Sequence, residues 1–295
     1  MSLLIAERQN EPQSLRLARA FRRRYAVARN WRVLRLGVGV AIGSLGILLA
    51  ALVHETTDYV AAVAGAWALI SRSVLSQRER LEQDHGALAQ EVFDTRVFQL
   101  PWNSTACGHS PAPEDIRCWG ERQTEEGLRD WYADVSDALR PLDVLICQRS
   151  SVTWARQDHA AYAALLRVLV GAALSATVVG ALAFNLTLGE YLLHLGLPAL
   201  PATLDVLDIA NINTELSRRR GRLEHEVDAL LTRAVTSGQA PAETEARRLQ
   251  DEIYASRRLA GVPGWFYKLT RERRERNMRE AAGEQLELLP DRLRL

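Results

Sequence analysis

The sequence predicts an all-α integral membrane protein in which four transmembrane helices form two hairpins and the other regions are helical and cytoplasmic. Three observations lead there. Residues 36–53 and 168–184 are uncharged runs of 18 and 17 residues, close to the ~20 that cross a hydrocarbon core. Each is followed by a second apolar stretch, over 59–75 and 186–209. Arginines crowd the outer flanks of both pairs and are missing from the links inside them.

Bulk composition hides this division. Charged residues make up 25% of the 295 and the net charge is +1, ordinary for a soluble chain. Apolar stretches nevertheless alternate with polar, Trp- and Arg-rich ones, as in a chain shared between two solvents. A soluble bundle would hold the apolar helices in its core, but core helices seldom run 17 residues without a charge. Cys107, Cys118 and Cys147 cannot all pair and show no regular spacing, which suits a reducing compartment. About 30 mostly polar residues precede the first apolar run, too many for the leading region of a cleavable signal.

Taken in order, residues 1–32 form a basic N-terminal helix with Leu15, Leu17, Ala18, Phe21 and Tyr25 as apolar positions. It either lies on anionic lipid or extends the first span. Hairpin 1 occupies 33–75. Gly39 and Gly43 give its first span a small-xxx-small pair suited to close packing in lipid. Its second, over 59–70, is short and must borrow 71–75 to cross. The cytoplasmic region 76–160 opens with a polar helix and turns irregular from Pro101 to Pro113. Thr124, followed by Glu125 and Glu126, then reads as an N-cap with an acidic first turn, for a helix to about residue 139. Pro141 suits the first turn of the next helix.

Hairpin 2 occupies 161–209, its first span carrying a small face of Gly171, Ala172, Ser175, Ala176 and Gly180. The C-terminal region 210–295 reads as a helix over about 213–236 ended by Gly238, another from Pro241 to about 259, and a last one from about Phe266. No useful β-alternation appears. Residues 1–35 hold nine arginines against Glu7 and Glu11, and Arg218, Arg219, Arg220 and Arg222 follow the fourth span. The links near 54–58 and 185–187 carry no Lys or Arg. Both termini and the central region therefore fall on the cytoplasmic side.

Catalytic motifs are scarce. The chain has no GxxxxGK[ST], GxSxG or HExxH, and Ala229 follows His225-Glu226 where a second histidine is required. Cys107, His109 and Cys118 match no usual zinc spacing, so no metal and no cofactor are expected, and no enzyme. The fourth span is more informative. Glu190, His194, Pro201, Asp205 and Asp208 recur at steps of 4, 7, 4 and 3, which places them on one helical face. Ionisable groups at membrane depth favour a water-filled cavity or a partner, so Glu190, His194, Asp205 and Asp208 are candidate pore-lining residues of an acidic, cation-favouring path. The two aspartates fit an interfacial helix end equally well. The polar regions also gather Trp102, Trp119, Trp131, Tyr132, Arg149, Trp154, Arg257, Trp265, Tyr267 and Arg271. Aromatic faces with guanidinium forks suit a nucleotide, although aromatics also glue small helical domains together.

Two blocks carry a resemblance. The first runs Ala89-Gln90-Glu91-x-Phe93-Asp94, Phe98-x-Leu100-x-Trp102-Asn103, Asp130-Trp131-Tyr132 and Cys147-Gln148-Arg149-x4-Trp154. The second runs Ile253-Tyr254-x2-Arg257, Val262-Pro263-x-Trp265-Phe266-Tyr267 and Arg271. With the two hairpins at matching places, the chain resembles the SMODS-associated four-transmembrane (S-4TM) pore-forming effectors of bacterial cyclic-oligonucleotide anti-phage systems (CBASS), over about residues 10–280. Where the family pattern often has an acidic residue after its Pro, this chain has Gly264.

The resemblance implies a non-enzymatic, homo-oligomeric effector in the bacterial inner membrane. It would bind a cyclic oligonucleotide second messenger, rather than a DNA or RNA polymer, and permeabilise the lipid bilayer. Chemistry then nominates Arg149 and Arg257 for phosphates, Trp102, Trp131 and Tyr267 for stacking, and Asn103 or Gln148 for a base edge. A membrane-bound receptor or scaffold without pore activity, and a small proton-coupled transporter using Glu190 and His194, are the alternatives.

Overall fold

The computed structural model describes residues 4–52, 57–259, 261–263, 265–266, 276 and 280–294, apart from the side chains of 47–52, 57, 58, 60, 61, 194 and 198. Among these the fold is helical, with one isolated antiparallel bridge between Ala138 and Arg294. In order come α1 (Ile5–Arg8), α2 (Pro12–Leu52), α3 (Thr57–Ile70), a π-turn (Ser71–Leu75), α4 (Ser76–Phe98), α5 (Ser104–Cys107) and α6 (Pro113–Trp119). Then follow α7 (Leu142–Ala183), α8 (Leu188–Tyr191), a second π-turn (Leu192–Gly196), α9 (Leu197–Ser237) and α10 (Glu243–Arg257).

Local chemistry explains most of these bounds. Pro12 opens α2, where its missing N–H costs nothing, and the basic lead-in extends the following apolar run as one helix of 41 residues. Pro201 sits inside α9 without ending it, and Pro198 lies in the same helix. Helix α9 stops at Gly238, whose φ of +63° is left-handed and costs glycine little.

One expected helix is absent. Residues 124–139 form turns and bends, because tertiary partners capture their backbone. Tyr132 N–H donates to Gln9 Oε1 at 2.7 Å and Asp130 N–H to Asn10 Oδ1 at 3.1 Å. Arg122, Gly127 and Asp130 all take positive φ, which no helix accommodates. The stretch from Pro101 to Pro113, expected to be irregular, holds the four-residue α5, capped by Asn103.

The chain divides into two compact units. The first gathers Met1–Val27, Glu82–His159 and Glu215–Leu295. Its core is aromatic at the centre: Phe21 meets Phe93 and Trp131 edge-on at centroid distances of 5.6 and 5.0 Å, and Tyr132 packs on Phe98 at 4.8 Å. Helix α9 contributes a buried stripe of Leu216, Leu223, Val227, Leu230 and Ala234, and α10 adds Ala246, Leu249 and Ile253. The 3–4 spacing makes each stripe one face of a helix.

The second unit comprises Ala28–Leu81 and Ala160–Thr214 and is built inside out. Large apolar side chains stand exposed along α2 (Val33, Val40, Leu45), α3 (Val63, Leu69), α7 (Val168, Val179, Leu182) and α9 (Leu197, Leu200, Leu204). Among the described residues one helix, α7, is long and apolar enough to cross a membrane, and only 11% of its most apolar window is buried. A water-soluble protein does not leave so much apolar surface uncovered. Gly39 lets α2 approach Trp67 of α3, where a Cβ would stand 3.4 Å from the indole nitrogen.

Packing in the first unit makes one glycine critical. A Cβ at Gly86 on α4 would lie 2.7 Å from the Tyr25 ring, and that ring is held by its hydroxyl donating to Gln90 Oε1 at 3.0 Å. Gly86→Ala gains about 1 kcal/mol of helix propensity but overpacks the contact at a cost of about 1–3 kcal/mol. Thermal unfolding in detergent is expected to show a net drop in Tm.

Candidate functional site

The densest polar chemistry lies inside the first unit, where α4, α7 and α10 meet. Glu91 and Asp94, three residues apart on α4, point into the core with no exposed surface, and α10 answers with Gln250 and Arg257. Asp94 accepts from Tyr132 Oη at 2.6 Å, from Gln250 Nε2 at 2.9 Å, and from Arg257 in a buried ion pair. Glu91 accepts from Gln250 Nε2 at 2.8 Å and from Arg247 at 2.7 Å. Gln148 on α7 donates to Gln250 Oε1 at 3.1 Å and to the Ala246 carbonyl at 2.8 Å. Two carboxylates thus face two guanidiniums, and the cluster is neutral.

Titration follows the packing. Burial and the adjacent Asp94 push the Glu91 carboxyl above its usual range, against Arg247 and Gln250. Burial works against charge on Arg257, but Asp94, Tyr132 and Tyr25 reverse this and raise its pKa. Burial and Asp94 likewise drive the Tyr132 hydroxyl upward, so it remains a donor.

A chain of bonds runs outward from this cluster. Arg247 bridges Glu91 to Asp251, at 2.7 Å to each, and Asp251 accepts from Asn103 Nδ2 at 2.8 Å. Asn103 meanwhile caps α5 through Oδ1. Trp102 packs beside Ala87, Cys107 and Tyr254, its indole donating to the Gly108 carbonyl at 2.9 Å. Glu91, Cys107 and Asp251 place potential metal-ligand atoms within 4.8 Å of one another. Arg247 already supplies the positive charge between the two carboxylates, and burial with Glu91 pushes the Cys107 thiol to about 12. This arrangement is a hydrogen-bonded lock rather than a metal cage.

Of the sequence candidates for ligand contact, Asn103, Gln148 and Arg257 therefore share one network, with Trp102 beside it. Arg149 does not join them; it pairs with Asp228 of α9. Trp131 is half-buried against Phe21, and Tyr267 and Arg271 lie outside the described residues. The sequence reading missed Arg247, Gln250 and Asp251, although Arg247 and Asp251 show the i,i+4 spacing of a helical ion pair.

The acidic positions of the second unit are also engaged. Asp205 pairs with Arg35 at 3.5 Å and Arg72 at 3.4 Å, and Asp208 with Arg72 at 3.6 Å. Glu79 binds Arg32 at 2.6 Å and Arg35 at 3.4 Å. Three arginines and three acids so clasp α2, the first π-turn, α4 and α9. Glu190 instead closes a capping box with Thr187 at the start of α8. The single acidic face expected over 190–208 is broken by the π-turn Leu192–Gly196. Its extra residue turns Glu190 by roughly 100° relative to the aspartates. His194 lies within that turn, its side chain outside the description.

The described residues thus make an all-α protein with one unit that turns large apolar side chains outward and one that buries ion pairs. The SMODS-associating 4TM effector domain matches residues 4–285, and the chain belongs to this family. It is also 25% identical over 286 residues to a probable CBASS effector molecule of Bacillus cereus (strain VD146), covering 92% of this chain and 95% of that protein. Both are named as effectors, the non-enzymatic role expected from the missing catalytic motifs. No solved structure matches.

The buried cluster generates a stability prediction. Removing one partner leaves the other charge uncompensated, which costs about 3–5 kcal/mol. Asp94→Ala is expected to lower Tm sharply, and the double variant Asp94→Leu with Arg257→Met to recover much of the loss.

Proposed function

We propose that this chain is an inner-membrane effector of a cyclic-oligonucleotide anti-phage defence system. Its soluble unit binds a cyclic oligonucleotide on the cytoplasmic side, and its spans then permeabilise the membrane by forming a pore. The observation that carries this reading is the uncovered apolar surface of α7, 11% buried in its most apolar window, in a chain whose family is one of effectors. Water would not tolerate that surface and lipid does.

In this reading hairpins 33–75 and 161–209 cross the bilayer four times. Segments 1–32, 76–160 and 210–295, with both termini, face the cytoplasm, as the arginine distribution favours. Apolar side chains exposed on α2, α3 and α9 support spans beside α7. Two hairpins enclose little lumen, so the conducting form is a ring of several copies.

The ligand acts by differential affinity, since one gripping both states equally would shift nothing. Trp102, Asn103, Trp131, Gln148, Arg149, Arg257 and Tyr267 are the proposed ligand contacts, and phosphates compete with Asp94 for Arg257. Loosening the lock shifts α4, which is continuous through the π-turn with α3. Asp205 and Asp208 line the opened path, Glu190 and His194 lie nearer its outer mouth, and the arginine clasp on the aspartates holds it shut.

Dye-loaded liposomes carrying the purified protein are expected to leak on addition of a cyclic oligonucleotide, and to stay sealed with Arg149→Ala. Nucleotide binding without leakage would instead mark a receptor. Asp205→Asn weakens the clasp, leaving Arg35 to Glu79 and Arg72 to Asp208, and its liposomes are expected to leak more than wild type before any nucleotide is added. A basal leak equal to wild type removes the clasp from the mechanism.

A further inference from the structure

Helix α9 sets an arginine where its own pattern calls for a leucine. Leu216, Leu223, Val227, Leu230 and Ala234 are its buried stripe, and Arg220 falls between the first two at the same 4-then-3 spacing. The side chain is half-buried. Its Nε is sealed from solvent with no hydrogen-bond partner. Burial and nearby Arg257 pull its pKa down to about 10, against the influence of Tyr25, so at neutral pH it remains a cation. No carboxylate pairs with it among the described residues, whereas Arg149, Arg247 and Arg257 each have at least one.

An uncompensated cation at a core position is costly. The side chain is not fully buried, which leaves it a route to an anion arriving from solvent. Arg257 is near enough to act on the charge of Arg220. One of its terminal nitrogens is committed to Asp94, while the other reaches only Ser151 Oγ at 3.5 Å, the outer limit of a hydrogen bond.

We propose that Arg220, with the weakly engaged nitrogen of Arg257, forms an oxyanion site that takes a phosphate diester of the cyclic oligonucleotide. This rests on the nucleotide-binding reading above and names the group that receives the charge. A bound phosphate relieves the uncompensated cation and draws Arg257 away from Asp94. The ligand therefore gains most in the state where the lock has loosened, which is the differential affinity a switch needs.

The test uses the full chain in detergent, unfolded thermally at matched ionic strength in chloride, in inorganic phosphate, and with cyclic di-AMP, cyclic GMP–AMP and cyclic triadenylate. Phosphate is expected to raise the wild-type Tm above its value in chloride. Arg220→Met is expected to be at least as stable as wild type in chloride and to lose the phosphate shift, while Arg220→Lys keeps part of it. Affinity for the activating nucleotide is expected to fall roughly 10- to 100-fold in Arg220→Met, as for one lost charge-assisted pair.

A phosphate shift that survives Arg220→Met, or none in wild type, overturns the site. An Arg220-dependent shift with phosphatidylglycerol micelles alone overturns its assignment to a soluble ligand. If Arg220→Met liposomes leak with the wild-type nucleotide dependence, the site falls and the effector reading stands. If Arg220 governs the phosphate shift but no nucleotide causes leakage in wild type, the site stands and the effector reading falls.

Discussion

The ion pairs that Asp94 and Glu91 make with Arg257 and Arg247 hold the first unit in one arrangement. They join helices far apart in sequence: α4 supplies both acids, α10 both bases and Gln250, and α7 adds Gln148. Tyr132 enters from a loop that would otherwise be helical. A buried pair of this kind adds little net stability over apolar packing, because desolvation offsets most of the attraction. It does penalise every arrangement that separates the partners. Such a cluster specifies one conformation and leaves a second within reach of a ligand able to replace a partner.

The second unit obeys a different constraint. Its helices carry large apolar side chains outward, whereas the first unit buries them in its core. Arg32, Arg35 and Arg72 sit against Glu79, Asp205 and Asp208 in a cluster that is neutral in the same way. Both units therefore settle unwelcome charge by local pairing. Arg220 has no such carboxylate partner among the described residues, which is why it is the position proposed to receive an anion.

Several residues of the blocks that carried the family resemblance belong to the buried lock. Glu91, Asp94, Tyr132, Gln148 and Arg257 all belong to it, and they lie within hydrogen-bond reach of one another or of Gln250. Among these, Gln148 and Arg257 are also candidates for ligand contact, since their polar groups can serve both purposes. Sequence spacing shows that such residues are present. It cannot show that a carboxylate from another helix already occupies them.

Much of the architecture was legible in the chain itself. Uncharged apolar runs follow from the solvent they must meet, helix stops from Gly238 and the basic lead-in from its arginines, because these are local properties of side chain and backbone. Two kinds of feature were decided only in three dimensions. The loop over 124–139 gave up a well-capped helix because Gln9 and Asn10 bind its backbone. The π-turn before α9 rotated Glu190 off the acidic face because one extra residue per turn leaves no mark on composition. That Arg220 meets no carboxylate among the described residues was likewise a matter of folding, since pairing depends on distances between helices that no spacing along one helix encodes.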